Sequence, residues 1–462
     1  MDGTSRDIGK ASAVCQWRRP VRRKRRRDRR SSRRDHETLV RCAASSRLLC
    51  RCLREDPALF RRRANAAAGF APSLLLGAFH SPRGGGARFA ESPAPAVIPR
   101  EPIRSFLSDN AAGDLLTSFG KPVACRGGLV VLRRDRRASE LRDAVDLCVC
   151  NPMTGDRCIL PPPTVSATSV AVLTGEDAAA GRSGSALQLL AMDLVSVSDY
   201  DEGGYYDFVI RSQLFSSPGS FPAIMPGCAW GPVLCVPANN CFGIADGPPV
   251  VIGRAAHWLT TRSACRGYDV FALDVDEDGG SRLIEGPREL ADDPRFGTSA
   301  VLLASTPDRR LGFVVVEELV ISLFVLVSEE FGTWERRVMV VREGILAPPR
   351  WMRLDSFGER SGTVVISMCR LAGRLLLNLE TKEVMHLSPE GEEELEGRCH
   401  LYEMDLPSLT AALLKPPDSC AASTCKLSMM FGQVLATIDT ASADATPCKI
   451  FIGANLLKKA NK

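Results

Sequence analysis

Between about residues 120 and 405 the chain sets short apolar runs of four to eight residues between clusters of Gly, Pro, Asp and Asn. The clearest runs are 128–132, 147–150, 187–193, 208–215, 250–252, 270–275, 300–303, 312–316, 321–327, 364–368 and 375–379. Hardly any amphipathic stretch of helix length interrupts them. Many short runs bounded by turn residues predict antiparallel strands rather than βα units, so the bulk of the chain reads as mainly β. Residues 36–63 differ. Leu39/Val40, Ala43/Ala44, Leu48/Leu49 and Cys52/Leu53 recur every three to four positions, which predicts one apolar helix face. Asp35 is placed to cap that helix, and Pro57 disfavours helical geometry at Asp56 and ends it. A short second helix is expected up to Gly69. Residues 70–106 carry six prolines and the run Gly84-Gly85-Gly86, and predict one short strand at 73–79 among loops.

The strand region repeats loosely. Strands end in polar turns, Asn151-Pro152-Met153-Thr154-Gly155, Ser216-Ser217-Pro218-Gly219-Ser220, Asp276-Glu277-Asp278-Gly279, Glu329-Glu330-Phe331-Gly332 and Asn378-Leu379-Glu380-Thr381-Lys382, at spacings of roughly 50–65 residues. That period suits four-stranded blades in a radial array, which leaves only short protected edges. A β-propeller-like array of about 6–8 blades is therefore expected. A pair of β-sandwiches fits the composition equally well but not the recurring turn. The resulting division is a basic arm at 1–35, a helical segment at 36–69, a Pro/Gly-rich linker with a first strand at 70–119, the blades at 120–415 and a divergent tail at 416–462.

Charge changes this picture only at the N-terminus. The chain of 462 residues carries a formal +5, yet residues 1–35 alone hold fourteen Lys/Arg and four Asp/Glu. The rest is thus mildly acidic. Arg22, Arg23, Lys24, Arg25, Arg26 and Arg27 form the densest run, a candidate nuclear signal in a solvated arm that cannot pack. No aromatic residue interleaves these charges, so a nucleic-acid partner is not expected. The greasiest stretch, 311–328, is nearly long enough to span a bilayer, but Glu317 and Glu318 near its centre point to two buried strands joined by a turn. Seventeen cysteines occur without any C-x-x-C, and the pairs Cys50/Cys52 and Cys148/Cys150 lack zinc spacing. They read as small hydrophobes in a reduced, intracellular chain.

Catalytic chemistry is not legible. The chain has no P-loop, G-x-G-x-x-G, H-E-x-x-H or G-x-S-x-G pattern. Its five histidines, His36, His80, His257, His386 and His400, are scattered, and His257 beside Trp258 reads as structural. Acidic clusters at Asp199/Asp201/Glu202 and Glu392–Glu394 read as solvated turns. Asp274, Asp276, Asp278, Gly279 and Glu285 fall on calcium-loop spacing, but the strand-like flank before them and Gly286-Pro287 after them favour an acidic strand-connecting turn. No cofactor, metal or catalytic residue is assigned.

Two blocks carry a family resemblance. The first is Leu39-Val40-Arg41-Cys42-Ala43-Ala44 with Asp56-Pro57-Ala58-Leu59-Phe60. The second runs from Gly127-Gly128-Leu129-Val130 through Cys150-Asn151-Pro152 and Leu160-Pro161-Pro162-Pro163 to Ala255-Ala256-His257-Trp258 and Tyr402-Glu403-Met404-Asp405. Together they resemble grass-type plant F-box proteins with a C-terminal F-box-associated, kelch-like β-propeller, the match covering roughly 36–415. Leu49 stands where that family has a tryptophan, and the arginine arm stands where it has a leucine-proline opening, so the F-box front half is read as missing. The resemblance implies a non-catalytic receptor subunit of a Skp–cullin–F-box ubiquitin ligase in nucleus or cytoplasm, with no membrane association. The helical segment would dock a Skp-type adaptor through Leu39, Val40, Ala43, Leu49, Leu53 and Pro57, and the propeller would hold a target protein. The alternatives are an orphan propeller scaffold that no longer docks a ligase and, remotely, a propeller-type hydrolase.

Overall fold

The computed structural model describes residues 69–404, apart from 83–84, 97, 99, 136–144, 175–176, 178–185, 198–206, 221–227, 239–240, 246, 263–266, 276–279, 291–299, 318–319, 331, 342–351, 369–372 and 388–396. Among the described residues six antiparallel sheets follow one another along the chain. Blade one joins β1 (Leu75–His80) and β2 (Arg88–Glu91) to the last strand, β24 (Cys399–Glu403). Blade two is β3 (Lys121–Arg126), β4 (Leu129–Asp135), β5 (Val145–Asn151) and β6 (Asp156–Ile159). Blade three is β7 (Ser169–Leu173), β8 (Ala186–Val197), β9 (Asp207–Ser220) and β10 (Trp230–Pro237). Blade four has β11 (Cys241–Ile244), β12 (Val250–Ile252), β13 (Ala255–Arg262), β14 (Tyr268–Asp274) and β15 (Ser281–Glu285). Blade five is β16 (Val301–Ser305), β17 (Leu311–Val316), β18 (Val320–Ser328) and β19 (Thr333–Val341). Blade six is β20 (Met352–Phe357), β21 (Thr363–Met368), β22 (Arg374–Asn378) and β23 (Val384–His386). The strands β24, β3, β7, β12, β16 and β20 touch in that order and back to β24, so the inner strands close a ring. This is a six-bladed β-propeller.

Period-two geometry explains why the central strands read as unbroken apolar runs. Each middle strand faces a neighbouring blade on both sides, so both sets of alternate side chains are buried. On β8, Leu189 and Ala191 pack toward blade two while Leu190 and Met192 pack toward blade four. On β17, Phe313 and Val315 join blade four, and Val314 and Val316 join blade six. An aromatic pair of blade one reaches across to blade two. Phe79 and Tyr402 meet edge-on at 5.6 Å, and Tyr402 donates from its hydroxyl to Gly128 O at 3.0 Å. The apolar stretch 311–328 is β17 and β18, with Glu317 between them on Arg336. No helix among the described residues is long and apolar enough to cross a membrane.

Residues 70–119, read above as a Pro/Gly-rich linker with one strand at 73–79, hold that strand as β1 and add β2 and two helices, α1 (Glu101–Ser108) and α2 (Asn110–Phe119). Asp109 caps α2 by accepting from Ala111 N at 3.4 Å, and Gly120 ends it at φ 63°. The helix α2 packs on β4 and β5, with the Arg134 guanidinium 4.9 Å from the Phe119 ring centroid.

Candidate functional site

The C-terminal ends of the inner strands β3, β7, β20 and β24 converge at one mouth of the channel. Arg126 ends β3, Thr174 and Asp177 follow β7, Glu359 and Arg360 follow β20, and Glu403 ends β24. Arg126, Thr174, Glu359, Arg360 and Glu403 line a cavity of ≈70 Å3. That volume holds a few waters.

Arg126 closes the axis. Its Nε donates to Glu359 Oε2 at 2.9 Å, Nη1 to Asp177 Oδ2 at 2.5 Å and Val172 O at 3.1 Å, and Nη2 to Asp177 Oδ1 at 3.2 Å and Val251 O at 3.5 Å. A guanidinium has five N–H donors, and here every one has an acceptor. One side chain therefore ties blade two to blades three, four and six. Burial opposes its charge, but Glu359 and Asp177 overcome that and raise its pKa further. Burial likewise works against the Asp177 carboxylate, and Arg126 together with the Thr174 N–H and hydroxyl wins, holding it below the usual range. Glu403 behaves oppositely. Burial pushes its pKa up despite hydrogen bonds from the Arg360 and Ser361 N–H groups at 3.0 and 2.9 Å. Gly358 is needed there, since a Cβ would run into Glu403 Oε1.

Three histidines and two cysteines are locked by burial too. Burial pulls His400, at the channel wall, down to about 4, and His80 likewise to about 4. His257 is lowered by burial while its Nδ1 lies 3.2 Å from Val250 O. Cys148 and Cys399 are pushed up to about 12 by burial, so their thiols stay protonated. His386 sits exposed on β23, and His36 lies outside the described residues. In the acidic run at 274–285, Asp274 ends β14 and Ser281–Glu285 form β15, which pairs antiparallel with it. Asp274 is held by Arg282 Nη1 at 2.9 and 3.0 Å, and Glu285 pairs opposite Asp269, several residues further along the strand. Those two cannot share one ion. Asp276, Asp278 and Gly279 lie outside the described residues, as do both acidic clusters at 199–202 and 392–394. No group of three or more metal-ligating side chains occurs among the described residues.

The adaptor-docking candidates Leu39, Val40, Ala43, Leu49, Leu53 and Pro57, and the candidate signal Arg22, Arg23, Lys24, Arg25, Arg26 and Arg27, lie outside the described residues. The axial group of Arg126, Asp177, Glu359 and Glu403 was not picked out from sequence. Its signal is positional: each residue ends or follows an inner strand, and that is visible only once the blade register is known.

Residues 95–416 match the family described as Domain of unknown function (DUF7595). The chain belongs to the DUF7595 family. That match begins just before α1 and runs past β24, so it covers blades two to six and the closing strand. A comparison of this DUF7595 chain with curated proteins finds no match. Among solved structures it is similar to prolyl oligopeptidase B from Galerina marginata bound to a 25mer macrocyclization substrate, at 12% identity and a TM-score of 0.28, covering 77% of this chain and 55% of that one. The same enzyme with a 35mer hydrolysis and macrocyclization substrate gives 12% identity and a TM-score of 0.27, covering 79% of this chain and 56% of that one. The DUF7595 chain thus spans about half the length of those enzyme chains.

Proposed function

We propose that this protein is a non-catalytic interaction module whose propeller loops hold a partner protein. The observation that carries this reading is the state of the axis. Arg126 is neutralised by Asp177 and Glu359 with all five of its donors used, and the Glu403 carboxyl is occupied by the Arg360 and Ser361 N–H groups. A catalytic acid–base pair needs a group poised near the working pH and open to substrate. Asp177 is held low and 1% exposed, and His400 is held low by burial. Loops on a rigid frame are the natural carriers of specificity.

More finely, the module is the target-holding part of a Skp–cullin ubiquitin ligase receptor acting in nucleus or cytoplasm. The resemblance of 36–69 to the second half of an F-box supports this. In that role it raises the local concentration of the target near the ubiquitin-charged enzyme and breaks no bond itself. Co-expression of the full chain with a Skp-type adaptor and cullin tests it. Adaptor co-purification is expected, with loss on Leu39→Asp plus Leu53→Asp. A chain that leaves the adaptor behind while still capturing partners through the propeller is the orphan scaffold. Leu49, in place of the family's tryptophan, favours that second reading. Turnover of peptide or glycoside substrates that is abolished by Glu359→Gln would overturn both.

A further inference from the structure

Blades six and one meet at a second buried arginine, whose surroundings leave it incomplete. Arg374, at the start of β22, is 1% exposed. Its Nη2 donates to Gly397 O at 2.6 Å and its Nε to Ser367 Oγ at 3.2 Å. The carboxylate it pairs with is Asp355, 3.6 Å from Nε and fully buried. Asp355 is already engaged, however. Its Oδ1 accepts from Arg353 Nε at 2.6 Å, and its Oδ2 accepts from the Ser367 hydroxyl at 2.6 Å. Two guanidiniums thus share one buried carboxylate, and of the two it is Arg374 that is cut off from water. The Nη1 of Arg374 is buried and has no hydrogen-bond partner. Across the seam, His80 is 4% exposed and its Nδ1 is also buried without a partner. His80 pairs in register with Cys399, two residues beyond the Gly397 carbonyl that Arg374 holds.

A buried cation without its full counter-charge is costly, and so is a buried donor without an acceptor. Water at Nη1 supplies an acceptor but no charge. An anion supplies both. The setting favours a small ion, because Arg374, Asp355 and His80 are all buried and, within the group Arg374, Arg353 and Asp355, positive charge exceeds negative by one.

We propose that the seam between blades six and one binds a small monovalent inorganic anion of chloride size, held by Arg374 Nη1 and facing His80. The site is independent of partner binding at the loops. It lies where the chain's last inner strand meets its first blade, so the anion stabilises closure of the ring.

Two measurements on the full chain test this. In crystals grown with bromide in place of chloride, an anomalous peak is expected within hydrogen-bond distance of Arg374 Nη1. Thermal unfolding at constant ionic strength, with chloride exchanged for gluconate, is expected to show Tm rising with the logarithm of chloride concentration. The rise should reach about 5 °C at a hundredfold excess over Kd. Arg374→Met is expected to abolish the chloride dependence, and His80→Gln to weaken it. If Arg374→Met does not fold, the bromide map of the unaltered chain decides alone. A map with water only at Nη1, or a Tm indifferent to chloride, overturns the proposal.

Discussion

The propeller holds two buried arginines in opposite electrical situations. At the axis, Arg126 faces two carboxylates and uses every donor. At the seam, Arg374 shares one carboxylate with Arg353 and leaves a donor bare. The difference teaches where the ring is closed by its own side chains and where it calls for something from outside. Four blades meet in one guanidinium at the axis. The seam joins the two ends of the wheel and is the less complete of the two.

The sharpest way to break this comparison is to remove the axial clasp. Arg126→Met leaves the buried Asp177 with only Arg309 at 4.0 Å and takes the cation from half-buried Glu359, and is expected to cost about 3–5 kcal/mol, read as a lower urea midpoint. Arg374→Met in chloride-free buffer is expected to cost clearly less, because Asp355 keeps Arg353 and Ser367. If the two variants lose equal stability, the contrast between axis and seam fails.

Acid comes next. His80 at the seam and His400 at the axis both have folded pKa values near 4, below the ordinary 6.5. Their folded forms prefer to be neutral, so their contribution is fully present above pH 6.5 and is lost as pH falls from 6.5 toward 4. Each is worth on the order of 2–3 kcal/mol over that window. Equilibrium unfolding between pH 7 and 4.5 is expected to show this loss, and His400→Gln or His80→Gln to flatten it. A bound anion would soften the His80 part, because it favours the protonated ring, so chloride should reduce the slope in the unaltered chain more than in His80→Gln.

The smallest effect sharpens the picture of blade six. Lys382 turns the β22–β23 hairpin at φ 62°, a left-handed conformation that costs an L side chain about 1 kcal/mol. Its N–H donates to Asn378 O at 2.9 Å, a bond that glycine keeps. Lys382→Gly is expected to stabilise the chain by ~0.5–1 kcal/mol in thermal or urea unfolding. A loss instead would place the strain of this blade elsewhere than its turns.

How much of this was legible in the sequence follows from burial. The runs at 147–150, 187–193, 270–275, 312–316 and 375–379 coincide with β5, β8, β14, β17 and β22, strands with blades packed on both faces. The outer strands gave no such signal. On β15 only Ile284 is buried, and β6 alternates half-buried and exposed residues, so their composition is that of a loop. In 70–119 only the first strand is legible, because prolines and glycines hide β2, whose partner strand pairs with residues more than 300 positions later. The axial group was illegible for the same reason. Arg126, Asp177 and Glu359 meet only after the ring has closed, and no local spacing encodes that.

Ring closure also sets a timetable for the nascent chain. The strand β24 lies between β1 and the axis, yet it is among the last residues of the propeller to leave the ribosome. Blades two to six can stack as they emerge, while β1 and β2 wait as a two-stranded ribbon with an open edge. A released chain ending near residue 395 should therefore remain sensitive to protease within 75–91, and one extended past β24 should be protected there.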